Sequence, residues 1–206
     1  MLAALCAVLL GLLLFSRDFW RQLRTQPVPW SVAGASCCVL ALLWQTDAAV
    51  LEALPVHFLA LTSLMLIFGL RLSCLLLTLV VGLQWLMSAQ QLEVLLWSLV
   101  SGWLVLLLNY LLYLYSYHKL PRHLFVYLFV SVFLNSAAGL VLFMLLQAWQ
   151  MSELYSMTQL YEGYLIFIPL AALPEALLNG MAMTLLVVYK PEWVHSYSQR
   201  VYLDPK

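Results

Sequence analysis

Long apolar runs broken by short polar segments set the pattern of this chain. The runs fall at 1–16, 30–45, 56–69, 72–88, 94–117, 124–149 and 163–189. A helix needs roughly 20 apolar residues to cross the hydrocarbon layer of a membrane. The pattern therefore predicts an all-α, polytopic membrane bundle of seven transmembrane helices, a single domain over 1–206. Two runs are short. The first, apolar from Met1 to Phe15, measures about 22 Å as a helix, so bilayer thinning or flanking anchors must help it span. The third ends at Gly69-Leu70-Arg71, which predicts a tight turn, because merging it with the fourth would bury Arg71 in mid-membrane. Pro27, Pro29, Pro55 and Pro121 interrupt the helical pattern between other runs. Trp20, Trp30, Trp44, Trp149 and Trp193 lie near run ends, where amphipathic rings favour the membrane interface.

Charge turns this pattern into a topology. All nine Lys and Arg residues fall in alternate breaks or in the tail. Basic segments beside short spans stay cytoplasmic, so the chain is expected to run N-out/C-in. Asp47, Glu52, Glu93, Glu153 and Glu162 then face outward, and Asp18, Glu192 and Asp204 inward. Arg17, Arg21 and Arg24 follow the first apolar run rather than precede it. That order is the reverse of a secretory signal and predicts a retained helix.

Composition adds exclusions. With 206 residues, 65% of them hydrophobic and 9% charged, the spans leave no room for a nucleotide-binding or soluble catalytic domain. Energy for any transport must come from partner chains. A net charge of zero gives no reason to expect nucleic acid as a partner; membrane lipid is the expected surrounding. Cys6, Cys37, Cys38 and Cys74 lie inside apolar runs and read as small packing residues. No CxxC pair, HExxH or Gly-rich phosphate loop occurs, so no enzymatic activity is expected.

Candidate chemistry reduces to the few polar side chains at membrane depth, which are costly there and worth examining. Glu175 lies in the middle of the last run, just after Pro174, and Asn179 is one turn on, on the same helix face. The pair reads either as an intramembrane substrate, proton or ion contact, or as a tie to Asn135, Asn109 or Gln84 on other helices. Asn135 is followed by Ser136-Ala137-Ala138-Gly139, small residues that favour close helix packing. His57, at the outer start of the third run, is a candidate ligand for a divalent transition metal. His118 and His123 bracket a basic turn and read as facing headgroups or partners; His195 belongs to no visible motif.

His57 through Gly69, the following helix with Gln84, and the patches Pro174–Gly180 and Lys190-Pro191-Glu192-Trp193 together resemble a known family. It is the cobalt/nickel-type substrate-capture component of energy-coupling-factor transporters, the CbiM and NikM type. The likeness covers most of the chain as a diffuse pattern. It implies seven spans with an external N-terminus, a transition-metal cation as substrate, and a coupling permease with ATPase subunits as partners. His57 matches a family metal ligand. Position 2 is Leu rather than the family's His, so the amino-terminal part of the metal site is missing. The resulting expectation is a permease component in a bacterial inner membrane, with Arg71, Lys119 and Arg122 on the docking face. The alternative is a non-transporting scaffold that kept the fold and lost the metal site.

Overall fold

The computed structural model describes residues 28–45, 56–87 and 92–202. The first run with its basic loop, the acidic segment holding Asp47 and Glu52, and the end holding Asp204 and Lys206 lie outside them. All regular structure among the described residues is helical. In chain order the helices are α1 (Trp30–Leu43), α2 (Leu61–Phe68), α3 (Leu70–Met87), α4 (Leu92–Lys119), α5 (Leu124–Glu153), α6 (Met157–Gly163), α7 (Ile168–Tyr189) and α8 (Gln199–Tyr202). Four stretches are long and apolar enough to cross a membrane: Leu70–Met87, Leu92–Lys119, Leu124–Glu153 and Met157–Tyr189. The protein is membrane-embedded, and the regular structure of its described residues is entirely helical.

Helix α1, with 14 residues, fills most of the expected run 30–45. Another expected span takes a different form. The run 56–69 contains only the eight-residue α2, entered through an irregular segment at 56–60. Hydropathy cannot register such a break, because the broken backbone is built from apolar residues. The segment between the fifth and last long helices, expected as a loop, is also helical in part. Helix α6 begins there with a capping box between Ser156 and Gln159.

Helix α2 occupies the centre, packed against α3, α4, α5 and α7, and all eight of its residues are buried. Around it α1 packs on α3, α3 on α4, α4 on α5, and α5 on α7. Glycines allow two of these approaches. A Cβ on Gly102 of α4 would lie 2.6 Å from Leu77 Cδ2 of α3. On Gly139 of α5 it would lie 2.9 Å from Asn109 Oδ1 and 3.1 Å from Val105 Cγ1, both on α4. In lipid, where apolar side chains gain little by leaving their surroundings, such close backbone approach is a main source of helix association.

The first half of α5 is wound as a π-helix from Tyr127 to Leu134. At its end the Asn135 N–H donates to the Val130 carbonyl. The Asn135 side-chain amide covers the carbonyl of Ser131, 3.1 Å away, and reaches across to the Asn109 carbonyl at 3.0 Å. The wider register thus turns one side chain into an interhelical link between α5 and α4.

Helix α2 is short because both ends are set by unusual backbone. Ala60, preceding it, has φ 51 and ψ 15, the left-handed conformation. Gly69, which follows, has φ 78 and ψ 163, a region open essentially to glycine alone. The chain reverses there, and α3 starts at the next residue. Replacing Gly69 by Ala is expected to cost about 1–3 kcal/mol, read as a lower unfolding temperature of the detergent-purified protein. An unchanged melting curve would show that the turn relaxes without strain.

Candidate functional site

A buried helix in lipid must have its terminal backbone groups satisfied by protein, since no water reaches them. Helix α2 meets this demand through side chains of α7. The Glu175 carboxyl accepts the N–H of Leu59 and that of Ala60, each at 2.9 Å. Asn179 Oδ1 accepts the N–H of Ser63 at 3.0 Å and the Ser63 hydroxyl at 2.7 Å. The Asn179 amide in turn donates to Glu175 Oε1 at 2.8 Å and to the Glu175 carbonyl at 2.9 Å. Glu175 and Asn179 are each only 1% exposed. One turn of α7 therefore caps the N-terminus of α2 from outside its own chain segment, with the carboxyl oxygens facing the positive end of that helix.

The opposite end of α2 is satisfied by the tail that follows α7. The N–H groups of His195 and Ser196 donate to the carbonyls of Ile67 and Leu66, each at 3.1 Å. Ser73 Oγ of α3 donates to the Leu64 and Gly69 carbonyls at 2.9 and 2.8 Å. The tail is held by a tyrosine cluster: Tyr113 donates to the Ser196 carbonyl, and Tyr127 is 2.8 Å from the Ser196 hydroxyl. The Tyr127 ring also packs on Tyr197 and Tyr202. Burial pushes the phenols of Tyr197 and Tyr202 up, so both remain protonated at neutral pH.

The structure thus brings Glu175 and Asn179 together, but the predicted ties to Asn135, Asn109 or Gln84 are replaced. The Asn109 amide donates to Thr62 of α2 at 2.9 Å, Asn135 reaches the Asn109 backbone, and Gln84 of α3 donates to the Ala41 carbonyl of α1 at 3.0 Å. Each amide serves its nearest helix neighbour. The backbone N–H groups of Leu59 and Ala60, just ahead of α2, compete more strongly for Glu175, because an unpaired N–H is costly in an apolar interior.

His57 lies two residues before the first backbone group that Glu175 holds. Its ring packs against Trp44, with centroids 4.8 Å apart, and edge-on against Phe143 at 5.7 Å. Among the described residues, neither buried ring nitrogen has a hydrogen-bond partner, and neither does the neighbouring Trp44 Nε1. A buried polar atom with no partner costs on the order of 1–3 kcal/mol, and one nitrogen of a neutral imidazole carries a lone pair that can accept a donor or bind a cation. Among the described residues no group of three or more His, Cys, Asp and Glu side chains forms a metal cluster.

The expected docking residues lie at the opposite end of the bundle from Glu93 and Glu153, since α3 begins, α4 ends and α7 ends on one side. Lys119 is exposed, Arg122 stacks over the Tyr117 ring at 5.0 Å, and Arg71 is half-buried in a cavity beside the tail. The tail contacts and the left-handed Ala60 were not anticipated. The only sequence sign of the α2 cap was the pair Thr62-Ser63 inside an apolar run, at the spots where Asn109 and Asn179 bond.

No protein family, curated protein or solved structure matches the chain.

The cap can be tested directly. Glu175→Gln puts an NH₂ donor where one carboxylate oxygen accepts, leaving one buried N–H unpaired at a cost of about 1–3 kcal/mol. Glu175→Ala removes both acceptors and is expected to cost more. Thermal unfolding in detergent should rank wild type above Gln above Ala; a Gln variant as stable as wild type would discard the capping role.

Proposed function

We propose that this protein is the membrane-embedded capture component of an energy-coupling-factor-type transporter, with a divalent transition-metal cation as cargo. The observation that carries the reading is His57, at the entrance to a broken helix, whose two buried ring nitrogens have no hydrogen-bond partner among the described residues. Discontinuous helices at membrane depth are the usual place for transported ions and solutes to bind. Neutral imidazole is a fitting ligand for cobalt, nickel and similar ions. Glu175 and Asn179 act in this reading as positioning residues: Glu175 holds the backbone of Leu59 and Ala60 that presents His57, and Asn179 ties Glu175 to Ser63. The remaining ligands of the ion come from elsewhere than a described cluster, water included.

The finer topology belongs to the same proposal. Seven spans with the amino end outside place every basic residue on the cytoplasmic side of a bacterial inner membrane. Arg71, Lys119 and Arg122 then face a coupling permease and ATPase subunits, which supply the energy for transport. No catalysis is assigned to it. Cargo enters near His57, and partner-driven movement of α7, which grips both ends of α2 directly or through its tail, alters that site.

A second reading, a non-transporting scaffold or assembly protein, draws support from the same cap. The hydrogen bonds of Glu175 and Asn179 are committed to α2, so an intramembrane acid is explained without any cargo. Titration calorimetry and elemental analysis of the purified full chain separate the two. Cobalt or nickel should bind in preference to magnesium, and His57→Ala should weaken binding on the order of tenfold or more. If neither cobalt nor nickel binds, the capture reading falls and the scaffold reading takes its place.

A further inference from the structure

A groove of about 840 Å³ runs along α1, with α2 as its floor and α7 as its far wall. Its α1 wall is the stripe Ser31, Ala35, Val39 and Leu43, each four residues from the next. Ser31, Ala35 and Val39 are exposed, so the stripe is bare among the described residues. Its other wall belongs to the least covered of the four long stretches. Only 17% of the apolar window of Met157–Tyr189 is buried, against 39% or more in each of the others.

We propose that the apolar run 1–16 lies in this groove as a helix antiparallel to α1. The run and α1 follow one another along the chain, joined by residues 17–29, and consecutive elements are usually neighbours in space. One flank of α1 is taken by α3, which leaves the groove side for the run. Lengths agree as well. Helix α1 measures about 21 Å from its 14 residues, close to the length of the run.

The side chains match in register. With Ser16 level with Trp30, the run's Phe15, Gly11, Ala7 and Ala3, also four residues apart, fall opposite Ser31, Ala35, Val39 and Leu43. The bulky Phe15 then meets a serine, Leu43 meets an alanine, and Gly11 meets Ala35 where the backbones come closest. Lines of small residues at this spacing draw helices together in lipid through close packing. A lipid tail would fill the groove without regard to either stripe. Ser63 and Asn179, whose hydrogen bonds hold the start of α2, line the same groove. Seated there, the run screens that cap from lipid.

Disulfide trapping of the full chain in membranes tests the placement, because a disulfide needs Cα atoms within about 7 Å of each other. Cys6 and Cys38 are first replaced by Ala; Cys37 and Cys74 are buried and stay. The pair Gly11→Cys and Ala35→Cys is oxidised, and the linker is then cut by trypsin at Arg17, Arg21 or Arg24. The fragments holding positions 11 and 35 are expected to stay joined until reductant is added. Gly11→Cys paired with Leu107→Cys, on the exposed face of α4, should separate without it. Should Gly11→Cys fail to fold, Ala7→Cys with Val39→Cys reads the same stripe by the same criterion. A link between two intact chains instead of within one would assign the groove to a second copy. A link from Gly11→Cys to Phe129→Cys, in the groove between α5 and α7, would seat the run there. Either result, or folded protein with no link at both stripe pairs, would overturn the proposal.

Discussion

A short helix buried on all sides in an apolar interior can exist only if other segments satisfy its ends. Helix α2 is that helix, and the rest of the bundle is arranged to meet its needs. Glu175 and Asn179 take the N–H groups at one end, and the His195 and Ser196 backbone takes the role of donor at the other. In water each of these groups could be solvated at little net cost. In lipid an unsatisfied one costs several kcal/mol, so their loss would favour a different path for the segment altogether.

This constraint gives the ionisable group in the membrane a physical reason. A carboxyl at such depth is expensive alone, but three donors converge on Glu175. It also couples elements that are remote in sequence. Both caps of α2 come from α7 and the tail directly after it, so α7 cannot shift without disturbing α2, and with it the backbone carrying His57. Proline inside α7 at Pro174 removes one hydrogen-bond donor from the helical ladder beside this grip. A fully buried central helix is thus held at both ends by α7 and the tail that follows it.

Much of the site was legible in advance for one reason: apolar surroundings make polar residues conspicuous. Glu175, Asn179, Asn135 and Gln84 all prove to be buried and bonded to other helices or to α2. Their partners were not legible. Side-chain amides seemed the natural match for Glu175, whereas the stronger demand came from backbone N–H groups that no residue letter advertises. Ala60 in a left-handed conformation gives no sign in its identity, while Gly69 at the turn does. The stacking of His57 on Trp44 joins two residues that sequence reading took separately, as a ligand and as an interface anchor.

The sequence by itself determined that the chain lies in a membrane, is helical, and carries its described basic residues at one end and most of its described acids at the other. These follow from local composition, because transfer of each side chain into lipid has a free energy of its own. Only the tertiary structure decided that the third apolar run is a broken, centrally buried helix, and that Glu175 is its cap. Those outcomes depend on where unsatisfied backbone groups meet acceptors more than a hundred residues away, and no local property of the chain encodes that distance.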